Sequence, residues 1–268
     1  MGDIALSASG LGKWYVVNEM RHRGTLTDRL GHMLSAPFKR QSTNPSSVAE
    51  TRPDGIWALR DVSFEVPAGN VMGVIGRNGS GKSTLLRILA RITTPTEGTA
   101  KLNGRVGALL EVGTGFHPDL SGRENILLSG TMIGMTPAEV RQREEEIIAF
   151  SEVENFIDTP VRHYSSGMFM RLAFAVAAHL ETEIMLVDEV LAVGDEAFQR
   201  KCKSKIRETA VAGRTVLFTS HDMQSIRKIC QSCLVLERGQ AIEQGGVEAC
   251  IHAYHTISGI PEEATPDA

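Results

Sequence analysis

Along residues 57–66 apolar and polar positions largely alternate, with Trp57, Leu59, Val62, Phe64 and Val66 on the apolar side. That period predicts a half-buried strand, ended by Pro67-Ala68-Gly69. Residues 4–17 read as an earlier strand. The runs 71–75, 184–187 and 215–219 are apolar throughout and predict strands buried on both faces. Residues 99–102 and 106–110 read as short strands, and 235–243 as a closing hairpin turning at Arg238-Gly239. Helices are predicted over 85–90, 137–158 and 168–180. Strands alternating with helices, and no internal repeat, predict an α/β sheet.

Two segments break the pattern. Residues 18–55 form an insertion between the first strands, basic at first (MRHRGTLTDRLGHML) and then rich in Pro, Ser and Thr. Its stretch 21–40 reads equally as a surface for a membrane or partner and as a solvated loop. The tail from Ser258 (SGIPEEATPDA) reads as disordered. One domain over 1–255 and a flexible tail over 256–268 are therefore expected.

The chain has 268 residues, 42% hydrophobic and 22% charged, enough for a sizeable core. A net charge of -4 argues against a nucleic-acid partner. No apolar run approaches the roughly 20 residues of a membrane span. The start MGDIALSASG lacks the basic region and apolar core of a signal peptide. A cytosolic chain is expected, so any membrane role goes through a partner. Cys230 and Cys233 form one C-x-x-C with no second pair at zinc spacing, so Cys202, Cys230, Cys233 and Cys250 read as ordinary thiols in a reducing compartment.

The chemistry concentrates in GRNGSGKST, residues 76–84, which matches G-x-x-x-x-G-K-[ST] between a predicted strand and a predicted helix. Glycines there let backbone N–H groups close on phosphate oxygens, and the helix start adds positive charge. Gly76, Arg77, Asn78, Gly79, Ser80, Gly81, Lys82, Ser83 and Thr84 are expected to cradle a nucleotide, with Lys82 on the β- and γ-phosphates and Ser83 on Mg²⁺. The strand 184–187 delivers Asp188-Glu189 at its end. Asp188 fits a Mg²⁺ position opposite Ser83, and Glu189 fits the group that polarises an attacking water. A third element, Ser165-Ser166-Gly167, opens a helix and reads either as a simple N-cap or as a second anion-binding helix end.

The order of these motifs resembles the ATP-binding cassette (ABC) ATPases, P-loop NTPases that bind ATP and Mg²⁺. Residues 164–168 sit at the family's signature motif, and Arg171 matches the arginine after it. Residues 191–195 sit at its D-loop, which ends in Asp195, and His221 sits at its switch histidine. GALLEVGTGFHPDLSGRENI, YSSGM and DEVLAVGDEAFQRKC are similar to the ATPase subunits of bacterial polysaccharide exporters, as is the insertion 18–55. The likeness runs over residues 4–255. Exporters of O-antigen, capsule or teichoic acid belong to this group. The sugar-binding C-terminal domain of some members is not expected here.

That resemblance implies a RecA-like mixed sheet, an antiparallel β subdomain and a helical subdomain over about residues 114–180. It implies a head-to-tail homodimer with ATP between the P-loop of one copy and the Ser165 turn of the other. Glu189 would activate water, and His221 would contact the γ-phosphate. Glu111, where most members have glutamine, would contact metal and water. Tyr15, or Trp57, would stack on adenine. The signature has one glycine where two are usual, with Ser166 in place of the other. An integral-membrane permease would be the partner, contacting a lipid-linked polysaccharide at the cytoplasmic face of the inner membrane. An ABC ATPase for a lipid or drug is the alternative, and a soluble ABC-type regulator is a further one. A single P-loop and no sustained heptads count against the regulator.

Overall fold

The computed structural model describes residues 3–16, 55–110, 113–188 and 194–259. Glu111, Glu189, residues 191–193 of the D-loop, residues 18–54 of the insertion and residues 260–268 of the tail lie outside the described residues.

Two sheets organise the rest. Strands β1 (Ile4–Val16), β2 (Gly55–Pro67) and β4 (Glu97–Leu102) form an antiparallel sheet in the order β2-β1-β4. The other six are β3 (Val71–Ile75), β5 (Val106–Leu109), β6 (Ile184–Val187), β7 (Thr215–Thr219), β8 (Ser232–Glu237) and β9 (Gln240–Gly245). They run in the order β5-β6-β7-β3-β8-β9, parallel except for β9. The mixed sheet and separate antiparallel sheet are those the resemblance implies.

The unbroken apolar runs now have their reason. Ile75, Val187 and Phe218 point into one core with Phe174, Phe198 and Tyr254. Their neighbours Val74, Leu186 and Leu217 point into a second core with Leu11, Leu59, Phe64 and Leu86. Successive side chains leave opposite faces of a strand, so a strand covered on both sides must be apolar at every position.

Helix α1 (Lys82–Leu89) follows β3, and α2 (Gly122–Met132), α3 (Pro137–Ser151) and α4 (Ser166–Ala178) pack on one another around Ile126, Ile147, Leu172 and Val176. The pattern does not predict α2 as a separate helix. Its signal is the capping box in which Ser121 accepts from the Glu124 N–H and the Glu124 carboxylate accepts from the Ser121 N–H. Helix α3 ends at Ser151, short of the predicted 158, because Glu152 turns left-handed at φ 59° and a 3-10 turn follows at Glu154–Phe156. The charged run RQREEEI, residues 141–147 on α3, is tied down through Arg123 to Glu144 and Arg143 to Glu181.

Helices α5 (Glu196–Val211), α6 (Met223–Ile229) and α7 (Val247–Ser258) complete the described chain. Residues 256–258, expected in the flexible tail, belong to α7. Buried Cys250, Ile251 and Tyr254 seat that helix on β8 and β9, and Gly259 closes it at φ 64°. Among the described residues, no helix is long and apolar enough to cross a membrane. All four cysteines are free and buried, and burial pushes the Cys202 and Cys230 thiols up to about 12.

Phe218 is 1% exposed on β7, a strand inside the parallel sheet. Phe218→Ala should cost about 3–5 kcal/mol by leaving a cavity, read as a lower urea midpoint at unchanged m-value.

Candidate active site

The P-loop leaves the C-terminal end of β3 and enters α1 at Lys82. Lys82 is 8% exposed, and its Nζ donates to the carbonyls of Gly76 at 2.6 Å and Arg77 at 3.1 Å. Burial lowers its pKa below the ordinary 10.5, against the opposing pull of Asp188. No side chain caps α1 and no acidic residue lies in its first turn. Its leading N–H groups lack intrahelical partners by construction, so the positive helix end stays available to an anion. The Ser80 hydroxyl is buried with no hydrogen-bond partner among the described residues. A buried lysine, an uncapped helix end and an orphaned hydroxyl together fit a phosphate group.

Backbone contacts hold the loop on both flanks. A Cβ at Gly81, where φ is 108°, would stand 2.5 Å from the Ala58 carbonyl oxygen. One at Gly76 would stand 2.2 Å from the Leu236 carbonyl oxygen. Only glycine allows this approach.

Asp188 stands at the end of β6, and Thr219 at the end of the neighbouring β7. The Thr219 hydroxyl donates to Asp188 Oδ1 at 2.5 Å. That bond orients the carboxylate; Thr219 sits beside the Ser-His pair in the sequence, but its role depends on the β6–β7 register. His221 follows β7 by two residues and is exposed. Asp222 next to it caps α6 through the Gln224 N–H at 3.0 Å.

A cavity of about 380 Å³ joins the P-loop to Asp188; His221 and Thr219 do not line it. Tyr15, Ile56 and Trp57, from β1 and β2, line it together with Gly79, Lys82, Ser83 and Asp188. Both aromatic candidates thus face the same space. Trp57 meets Trp14 edge-on at 5.3 Å, and Lys13 Nζ lies 5.2 Å from the Tyr15 ring centre. Asn78 and Thr84 also line the cavity. The residues fit Mg²⁺ as well: Mg²⁺ takes one or two carboxylates with substrate oxygens and water, and Asp188 and Ser83 share this cavity. A larger cavity of about 760 Å³ opens near Asp3, Arg105, Glu183 and Arg214. It lies before the starts of the parallel strands, whereas ligands of such sheets bind beyond their carboxyl ends.

Ser165, Ser166, Gly167 and Asp195 are not brought to the cavity. Ser165 caps α4, its hydroxyl accepting from the Met168 N–H at 3.2 Å, and both serines are exposed. Asp195 accepts from the Phe198 N–H at 2.9 Å and from Arg171 at 2.5 Å. The Phe198 N–H, then the Arg171 charge, hold its carboxyl below the usual range. Arg171 also donates to Glu152 at 2.7 Å, and Glu152 accepts from Lys201 at 3.0 Å. This network, of which the motifs reveal Arg171 and Asp195 but not Glu152 or Lys201, ties α4 to the ends of α3 and α5.

The sequence profile described as ABC transporter matches residues 59–192, half of the chain. The chain belongs to the ABC transporter family. Among its relatives, an O-antigen export system ATP-binding protein of Klebsiella pneumoniae is 49% identical over 74% of this chain and 80% of its own length. One of the same name from Myxococcus xanthus is 50% identical over 75% of this chain but 44% of its own length. A teichoic acids export ATP-binding protein of Bacillus anthracis is 40% identical over 74% of this chain and 36% of its own length. The chain thus spans less than half of the Myxococcus and Bacillus relatives. The solved structure of an ATP binding subunit of an ABC transporter superposes with a TM-score of 0.69 at 18% identity, over 97% of this chain and 95% of its own. A dimeric ATP-binding cassette bound to ADP and Pi gives 0.66 at 20%, over 90% and 98%. The α/β architecture is therefore that of an ABC cassette.

Lys82→Ala should abolish ATP binding in a calorimetric titration. Because burial lowers the Lys82 pKa, ATP affinity of the unaltered protein should begin to fall at a pH below 10.5. A decline beginning only at or above that value would contradict the burial of the ammonium.

Proposed function

We propose that this chain is the ATP-hydrolysing subunit of an ABC exporter of a lipid-linked polysaccharide, an O-antigen, capsule or teichoic acid. It works as a head-to-tail pair on an integral-membrane permease, at the cytoplasmic face of the inner membrane. One observation carries the reading. The cavity gathers an aromatic wall, Lys82, Ser83 and Asp188, while the Ser165 helix end stands exposed outside it. An uncapped anion site on one surface and a second helix end on another are complementary between two copies. The names of the relatives, O-antigen and teichoic acid export, support the polymer class.

In this reading Tyr15 or Trp57 stacks on adenine. Lys82 and the start of α1 neutralise the β- and γ-phosphates. Ser83 and Asp188 hold Mg²⁺, with the Thr219 hydroxyl fixing the carboxylate, and Glu111 contacts metal and water. Mg²⁺, when bound, spreads the charge that develops on the phosphoryl oxygens. Glu189 takes a proton from the attacking water as the water oxygen bonds to the γ-phosphorus and the bond from that phosphorus to the bridging oxygen breaks, leaving ADP and inorganic phosphate. His221 steadies the γ-phosphate. Ser165, Ser166 and Gly167 of the second copy close the site, with Asp195 at the start of α5 beside them. Loss of the γ-phosphate removes those contacts, and the pair opens because ATP favoured the closed state by differential affinity. The helices α2–α4 pass that motion to the permease, which selects the polymer.

Glu189→Gln should keep ATP binding, lower turnover roughly 10²-fold or more and trap the dimer. Near-normal phosphate release would remove Glu189 as the base. Ser165→Arg should spare binding to the monomer and prevent ATP-driven dimers in light scattering; dimers that persist would defeat the two-copy site.

A further inference from the structure

The phosphate cradle and the aromatic wall of the cavity stand on different sheets. The cradle follows β3, and the wall is made by Tyr15 on β1 and Trp57 on β2. The chain links β2 to β3 at Pro67, ten residues beyond Trp57 and so about 33 Å along the strand. That link cannot fix the spacing between cradle and wall.

Gly239 spans them by hydrogen bonds, beside the close approach of Gly81 to Ala58. Gly239, in the turn between β8 and β9, donates its N–H to the Ser80 carbonyl at 3.0 Å. Its own carbonyl accepts from the Arg60 N–H at 2.8 Å. Ser80 is in the cradle, and Arg60 lies three residues beyond Trp57 on the same strand. β2 is the edge of its sheet, which leaves the outward Arg60 N–H to be met by this turn. The turn is built for the approach. Arg238 and Gly239 both have positive φ, 50° and 81°, as a tight hairpin of this hand requires. A Cβ on Gly239 would stand 2.8 Å from the Ala58 carbonyl oxygen and 3.2 Å from the Leu59 Cα. Both are backbone atoms, so no side-chain rotation relieves the contact.

We propose that Gly239 is a positioning residue that sets the spacing between the phosphate cradle and the base-stacking wall, and so decides how strongly the base and ribose add to triphosphate binding. This rests on the reading of the cavity as an ATP site. Enlarging Gly239 moves β2 away from the cradle. It leaves Lys82 and the start of α1 in place. ATP then loses the contacts of its base, while a bare triphosphate loses nothing.

The test compares ATP with inorganic tripolyphosphate by calorimetric titration of the full chain. Gly239→Ala should weaken ATP at least about 10-fold and tripolyphosphate less than about 3-fold. Gly213→Ala is the control: Gly213 has φ 79°, and a Cβ there meets nothing within 4 Å, so it carries the same backbone strain without the contact. It should change neither affinity. Arg60→Pro removes the donor to Gly239 on an edge strand, where proline is tolerated, and with it the guanidinium 5.9 Å from the Trp57 ring centre; set against Arg60→Ala, which removes the guanidinium alone, it should give the same split if Gly239→Ala fails to fold. Equal losses for both ligands, or no loss of ATP in a folded variant, would overturn the proposal. Unaltered protein that binds tripolyphosphate but not ATP would instead overturn the ATP site itself.

Discussion

Lys82 holds its buried ammonium against the carbonyls of Gly76 and Arg77, beneath a loop whose tip at Arg77, Asn78 and Gly79 is exposed. A buried cation is costly unless charge or dipoles compensate. Here the compensation within the chain is partial: two carbonyls and a nearby carboxylate, with a helix end adding further positive potential. A polyanion arriving at this point completes what the fold leaves open. Backbone from β2 and β8 comes so close to Gly81 and Gly76 that neither position has room for a side chain.

That constraint explains the division of the molecule. Parallel strands covered on both faces supply rigid ends from which the P-loop, Asp188 and His221 project. The antiparallel sheet supplies Tyr15 and Trp57 and clamps the loop from the other side. The helices α2–α4 carry the exposed Ser165 turn away from the cavity, through a charged network of Arg171, Glu152, Asp195 and Lys201. Such partly exposed ion pairs add little stability individually. Their effect is to join three helix ends, so that displacing α4 displaces the start of α5.

Much of this could be read from the chain. The spacing of Gly76, Gly81, Lys82 and Ser83 predicts a phosphate loop, and the structure sets that segment between β3 and α1, as the motif needs. The unbroken apolar runs identify strands buried on both sides. Asp188 is legible because it ends such a run. The helix α2 and the end of α3 were less so, since capping and a left-handed Glu152, not periodicity, set their limits. The last helix, α7, extends three residues past the expected domain boundary, because its seat is a surface built from β8 and β9.

The sequence by itself determined the kinds of residue: which loop is shaped for phosphate, which carboxylate can sit near metal, which runs form the sheet. Local spacing suffices there, because each motif is one turn or one strand end. Only the tertiary structure decided distances between motifs far apart in the chain. It put Tyr15 and Trp57 on the same cavity, brought Thr219 to Asp188, kept Ser165 outside, and laid Gly239 between Ser80 and Arg60. Those contacts arise from strand order and register across two sheets, which no local pattern of residues encodes.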